Sequence, residues 1–207
     1  MLQNRVNPWG NLCLVTDRGT RMGNRGILHD ESSHIVRPWA HKGWVICLTE
    51  FNGISRPKPF SKGNYSELFF LDEATGLAAG HRPCWYCQRK RNKLFKDAWI
   101  KGNVPDEKRD AITMEQIDRV LHSERVAPNR GKKTYAATLA DLPFGAIFEC
   151  DAQAFLVDHH RCYRPWSFAG YGAPNAIDPT MSVNVLTPAS VVRACQSGFS
   201  PEIHSEY

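Results

Sequence analysis

No run of the 207-residue chain approaches the roughly 18 consecutive apolar residues that cross a bilayer, so a membrane-spanning helix is not expected. The opening residues, MLQNRVNPWG, lack the charged-then-apolar layout of a secretory leader. A disulfide framework is missing too. Seven cysteines, at 13, 47, 84, 87, 150, 162 and 195, form an odd and scattered set. Disorder, collagen and coiled coil do not fit a chain that is 42% hydrophobic, 23% charged and 11% aromatic. The expectation is a soluble cytoplasmic globular protein, without a membrane partner and with its thiols mostly reduced. Its length suits one compact domain or two small ones.

What is present is concentrated in one place. Residues 82–101 hold Arg82, Arg89, Lys90, Arg91, Lys93, Lys96 and Lys101 against Asp97 alone. That local charge of +6 exceeds the net +5 of the whole chain, leaving the remainder at −1. The same stretch contains Cys84 and Cys87. Cys47, inside Trp44-Val-Ile-Cys-Leu, and Cys195, inside Val191-Val-Arg-Ala-Cys, read as packing positions.

The pattern along the chain is α+β. Short apolar runs at Leu12–Val15, Ile27–His29, His34–Trp39 and Trp44–Phe51, separated by glycine- and serine-bearing turns, predict a β-meander. Asp72 caps a short helix, Glu73 to Ala79, ended by Gly80, and a longer helix is expected from about Cys84 to Lys101. Thr113-Met-Glu-Gln116 predicts a capping box for a third helix ending near Arg125. Strands return at Ala146–Cys150, Ala154–Val157 and Met181–Leu186. Thr187-Pro188 then opens a last helix that stops at Gly198. The basic loop Asn129–Lys133 divides a first part, 1–128, from a β-rich second part, 129–207; the two could equally form one continuous domain.

Two cysteines three residues apart at a helix start form half of a zinc knuckle, because the turn brings both sulfurs to one tetrahedral ion at ~2.3 Å. The helix terminus and neighbouring cations favour the thiolate. The twelve residues Leu77-Ala-Ala-Gly-His-Arg-Pro-Cys-Trp-Tyr-Cys-Gln88 resemble the second half of the zinc-binding motif in the N-terminal domain of the Ada DNA-repair proteins. The resemblance extends over roughly residues 44–101. It implies a zinc-holding, DNA-binding module. It does not carry over methyl transfer: the family's first cysteine pair has no counterpart in Asn52-Gly-Ile-Ser-Arg-Pro-Lys-Pro-Phe60.

The expected zinc ligands are therefore Cys84 and Cys87 with His160 and Cys162 of Asp158-His-His-Arg-Cys162; Cys47 and Cys150 are further options. Arg89, Lys90, Lys93 and Lys96, helped by Arg56 and Lys58, would follow a phosphate backbone while Trp85, Tyr86 and Trp99 stack on bases. DNA is the expected partner. The pair also suits thiol–disulfide exchange, although no thioredoxin-like βαβ context precedes it. Two alternatives remain open. One is a nucleic-acid-processing enzyme using His29, Asp30, His160 or Arg164 in a cleft between the two parts; the other is a partner-binding protein with inert cysteines.

Overall fold

The computed structural model describes residues 1–53 and 58–204, and these form two six-stranded sheets with four α-helices, an α+β architecture. The first sheet is made of β1 (Arg5–Val6), β2 (Leu12–Cys13), β3 (Arg21–Asn24), β4 (Val45–Leu48), β5 (Leu68–Phe70) and β6 (Arg82–Pro83) in the order β2-β1-β5-β3-β4-β6. Helix α1 (Glu73–Ala78) crosses from β5 to β6, and α2 (Arg89–Asn103) and α3 (Met114–Arg125) follow. The second sheet contains β7 (Tyr135–Thr138), β8 (Ile147–Cys150), β9 (Gln153–Val157), β10 (Tyr163–Ser167), β11 (Gly170–Tyr171) and β12 (Ser182–Val185), ordered β11-β10-β9-β8-β12-β7; α4 (Ala189–Gln196) closes the fold. Among the described residues no helix is long and apolar enough to cross a membrane.

Helix α1 joins the two sheets. Asp72 caps it by accepting from the Thr75 amide at 2.8 Å, while Tyr171 of β11 donates its hydroxyl to the other carboxylate oxygen at 2.9 Å. Trp166 of β10 donates its indole N–H to the Thr75 hydroxyl at 3.0 Å. Every residue of α1 is buried, and a side chain at Gly76 would stand 2.7 Å from the Ile46 Cδ1, so only glycine lets the helix lie this close to β4. Helices α2 and α4 pack together near an edge-to-face contact of Phe95 and Phe199, with centroids 5.3 Å apart. One apolar core includes Ile46, Phe70, Leu77, Phe95 and Leu121 together with Val191 and Ala194, drawn from both sides of the Asn129–Lys133 loop.

Several local expectations change. The meander around His34–Trp39 reduces to a single bridge between His29 and Ile35, flanked by the Val36 amide donating to the Leu28 carbonyl at 2.8 Å, while the Leu28 amide turns to the Ser66 hydroxyl. Helix α2 starts at Arg89 and not at Cys84, since the Cys84–Cys87 segment is a tight turn. Thr187 does not cap α4. Its hydroxyl accepts from Ile147 of β8, and Glu124 at the end of α3 accepts from the Ser190 amide in its place. The capping box of α3 forms as expected, with Thr113 and Gln116 exchanging bonds.

Candidate metal centre

Cys47 sits on β4 beside Ile46. Because successive side chains alternate across a strand, Ile46 enters the core and Cys47 turns to the other face. Strand β6 runs parallel to β4, pairing Val45 with Arg82 and Ile46 with Pro83. That register delivers the next residue, Cys84, beside β4, where its amide donates to the Ile46 carbonyl at 2.8 Å. The turn is locked from behind. Gln88 donates its side-chain amide to the same carbonyl at 2.8 Å, and Asn92 donates to the Pro83 carbonyl at 2.8 Å.

The consequence is a cluster of three thiols. The sulfur atoms of Cys47, Cys84 and Cys87 all lie within 4.8 Å of one another, close enough to bind one metal ion. Three sulfurs around a tetrahedral ion at ~2.3 Å stand about 3.8 Å apart, so the cluster needs only a small contraction. Backbone N–H groups already face it: Tyr86 donates to the Cys84 sulfur and Leu48 to the Cys87 sulfur, both at 3.4 Å. Such donors stabilise thiolate charge.

The three thiols divide their protons unequally. Hydrogen bonds from Cys47 and then Cys87, with the Cys87 and Tyr86 amides, pull the Cys84 thiol far below its ordinary value. The same contacts with Cys84 and Cys87 push Cys47 far up, with burial adding to the rise. For Cys87 the Cys47 hydrogen bond pulls down, but the hydrogen bond with Cys84 and then burial outweigh it and the net shift is upward. Cys84 is thus the most readily ionised of the three, and the upward shifts on Cys47 and Cys87 favour their protons. A divalent ion would displace those protons, which makes metal uptake pH-dependent.

A cavity of about 460 Å³ opens beside the three sulfurs, walled by Val45, Leu48, Phe51, Tyr65 and Phe69, with Glu67 also in its lining. Glu67 is buried and its carboxylate accepts from the Phe60 amide at 2.9 Å. Among the described residues no fourth histidine, cysteine or carboxylate donor joins the cluster.

The structure thus pairs Cys84 and Cys87 with Cys47 and not with His160 and Cys162. Those two lie in the turn between β9 and β10, where the Asp158 carboxylate accepts from both of their amides at 2.9 and 2.8 Å. They belong to the second sheet, and their role there is to close a hairpin. Cys47, a further option in the sequence, is the thiol that joins the pair: an apolar strand makes a cysteine read as packing until the register with β6 is known. Cys150 ends β8, also on the second sheet, and Cys195 packs against the core from α4.

The basic residues separate into two groups. Arg82 and Arg91 are turned inward, Arg82 in a two-point pair with Asp118 at 2.7 and 2.8 Å and Arg91 in a pair with buried Glu73. Arg89, Lys90 and Lys93 are exposed on α2 and Lys96 is half-exposed. Lys93 pairs with Asp97 at 2.7 Å. The Arg89 guanidinium stands 5.1 Å from the Trp85 ring centroid. Lys58 lies elsewhere, against the His29–Ser33 turn with Asp30 and Glu31; Arg56 lies outside the described residues.

The residues of the enzyme alternative are engaged locally. His29 stacks on Phe60 and shares a 2.6 Å hydrogen bond with Ser66. Asp30 accepts from the Ser32 and His34 amides, and Arg164 pairs with Asp158 at 2.9 Å. No family model, curated protein or solved structure matches the chain, so its chemistry is read from the site itself.

Proposed function

We propose that the chain is a nucleic-acid-binding protein, with DNA as its partner, in which Cys47, Cys84 and Cys87 hold a zinc ion that fixes the reading surface. The observation that carries this reading is the tip of the knuckle. Trp85 is 53% exposed and Tyr86 70% exposed, directly beside the cations that open α2. Large rings displayed next to Arg89, Lys90 and Lys93 suit bases that stack while phosphates are neutralised. Zinc is among the metals that thiolate ligands favour, and the resemblance to the Ada module points to it. Bound between β4 and the turn, it would hold Trp85 and Tyr86 at a fixed height above the first turn of α2. The resemblance to the Ada N-terminal domain supports the same partner, and the absence of a cysteine in Asn52–Phe60 leaves methyl transfer outside the proposal.

The test is fluorescence anisotropy with labelled single- and double-stranded DNA at about 50 and about 200 mM salt. Affinity is expected to fall steeply with salt, and Trp85→Ala to weaken it by about 1–3 kcal/mol without lowering the melting temperature. A flat salt response would remove the model. A second reading, a zinc-dependent nucleic-acid-processing enzyme, is favoured by one feature: three protein ligands leave a coordination position open toward the adjoining cavity. Cleavage of plasmid by the zinc-loaded chain, abolished in Cys47→Ser, would decide for it.

A further inference from the structure

A second concentration of positive charge lies away from the knuckle, and its two central guanidinium groups are buried instead of displayed. A cavity of about 440 Å³ is lined by Arg25, Arg125 and Lys132, joined by exposed Arg37 and Arg130, and no acidic side chain contributes to its wall. Arg25 and Arg125 are each only 2% exposed. Both guanidinium groups lie over the Trp44 ring, at 4.1 and 3.8 Å from its centroid.

The bonds these cations make are all to neutral groups. Arg25 donates through Nε to His81 Nε2 at 3.1 Å and through Nη1 to the Gly10 carbonyl at 3.0 Å. Arg125 donates to the carbonyls of Gly80 and Lys42, each at 2.5 Å, and the Lys132 ammonium donates to the Ala78 carbonyl. Arg25 Nη2 and Arg125 Nε have no hydrogen-bond partner. The acid that acts on Arg125 is Asp118, and its two oxygens are already taken by Arg82. Among the described residues no carboxylate pairs with Arg25, Arg125 or Lys132.

Buried cations are ordinarily paired, because a charge taken out of water without a counter-charge is strongly unfavourable. Two such groups, with half-buried Lys132 beside them around one cavity, are an arrangement that an anion completes. Guanidinium forks match the two oxygens of phosphate or carboxylate, and half-buried Trp39, also on the wall, offers a flat face within the volume range of small-molecule sites. We propose that this cavity binds a small organic anion, a phosphate or carboxylate group carried on a flat ring, with Arg25, Arg125 and Lys132 taking the anionic group and Trp39 the ring. Burial depresses all three cations from their ordinary values, as expected for groups awaiting a counter-charge. The inference stands apart from the nucleic-acid reading, which uses the other charged region.

Isothermal titration of the full chain at constant ionic strength tests it, with AMP for the phosphate arm, benzoate for the carboxylate arm and adenosine as the uncharged control. One-to-one binding of AMP or benzoate, and none of adenosine, is expected; the tighter arm identifies the source. Lys132→Met should weaken the bound anion about tenfold or more, consistent with a charge-assisted bond, and exposed Arg130→Ala more mildly. Arg125→Gln is informative only if its melting curve shows a folded protein, so the first two variants carry the test. Absence of heat and of any melting shift with both anions overturns the proposal. So does binding that survives Lys132→Met and Arg130→Ala, or that is lost instead in Lys90→Gln on α2.

Discussion

Trp44 and Cys47, three residues apart at one strand, serve two regions of opposite construction. The knuckle displays its cations and rings to solvent and keeps its thiols buried or half-buried; the arginine cavity buries Arg25 and Arg125 and stacks both on a single indole. The first is assembled from consecutive residues, 84–96, so its charge is visible in any short window of sequence. The second draws on residues 25, 37, 125, 130 and 132, each unexceptional where it stands. A remainder of the chain summing to −1 therefore contains the most electrically strained part of the molecule. Net charge over a segment reports display; strain depends on what folding brings together.

The largest expected effect separates the regions by metal. Cys47→Ser removes one of three thiolates and should lower zinc affinity at least about 100-fold, as measured by competition with a chromogenic chelator, with Cys84→Ser behaving alike. Cys162→Ser, in the β9–β10 turn, should leave affinity unchanged. Equal losses in Cys47→Ser and Cys162→Ser would break the assignment of the cluster.

Next comes Gly80, the residue through which the two regions share a frame. It follows α1 at φ +92°, its carbonyl accepts from Arg125, and an added Cβ would stand 2.4 Å from the Arg125 Cδ. Gly80→Ala combines a strained backbone with a displaced guanidinium, so a loss of about 2–4 kcal/mol in denaturant unfolding is expected. The contrasting Gly53→Ala, with open space around its Cβ position, should cost only its positive-φ strain.

The two regions were also unequally legible. Helices α1 and α3 and strands β8, β9 and β12 of the second sheet could be read from caps and apolar runs, because those signals are local. The knuckle pair could be read from its spacing. Its third thiol could be read only as one option among several, since Cys47 looks apolar until the β4–β6 register turns it toward Cys84. The arginine cavity left no local signal: Arg25 directly follows the end of β3, Arg125 ends a helix where a cation is ordinary, and Lys132 sits in a basic loop. Their convergence depends on the chain after His34 leaving the sheet to form a wall of the cavity, whereas alternation there predicted a strand.

A smaller effect concerns pH. Burial, then Arg125 and Arg25, push the Lys132 ammonium from 10.5 down to about 7. Its neighbours His81 and Arg125 add no negative charge. Between about 7 and the ordinary amine value the unfolded chain therefore holds a proton that the folded chain has released. Stability should rise with pH across that window, by up to about 1.4 kcal/mol per unit from this group. Because thiols titrate in the same range, the measurement is the difference in melting temperature between wild type and Lys132→Met. The variant should show the flatter slope, and saturating AMP should flatten the wild type toward it.

The smallest expected effect returns to the displayed cations. Of the four on α2, Lys93 has an acidic neighbour one turn on: its ammonium meets Asp97 at 2.7 Å, and both side chains are mostly exposed. An exposed i,i+4 pair contributes little to the helix, so Asp97→Asn should leave the melting temperature almost unchanged. What it alters is availability. With Asp97 neutral, Lys93 is free to meet a phosphate and a repelling charge leaves the track. DNA affinity should then rise about twofold, with the slope of log affinity against log salt steeper by no more than about one unit. Anion binding in the arginine cavity should not respond at all. An Asp97→Asn chain whose DNA affinity and salt slope both stay at wild-type values would mean that phosphates do not follow this face of α2, and the comparison of a displaying region with a hiding one would lose its first member.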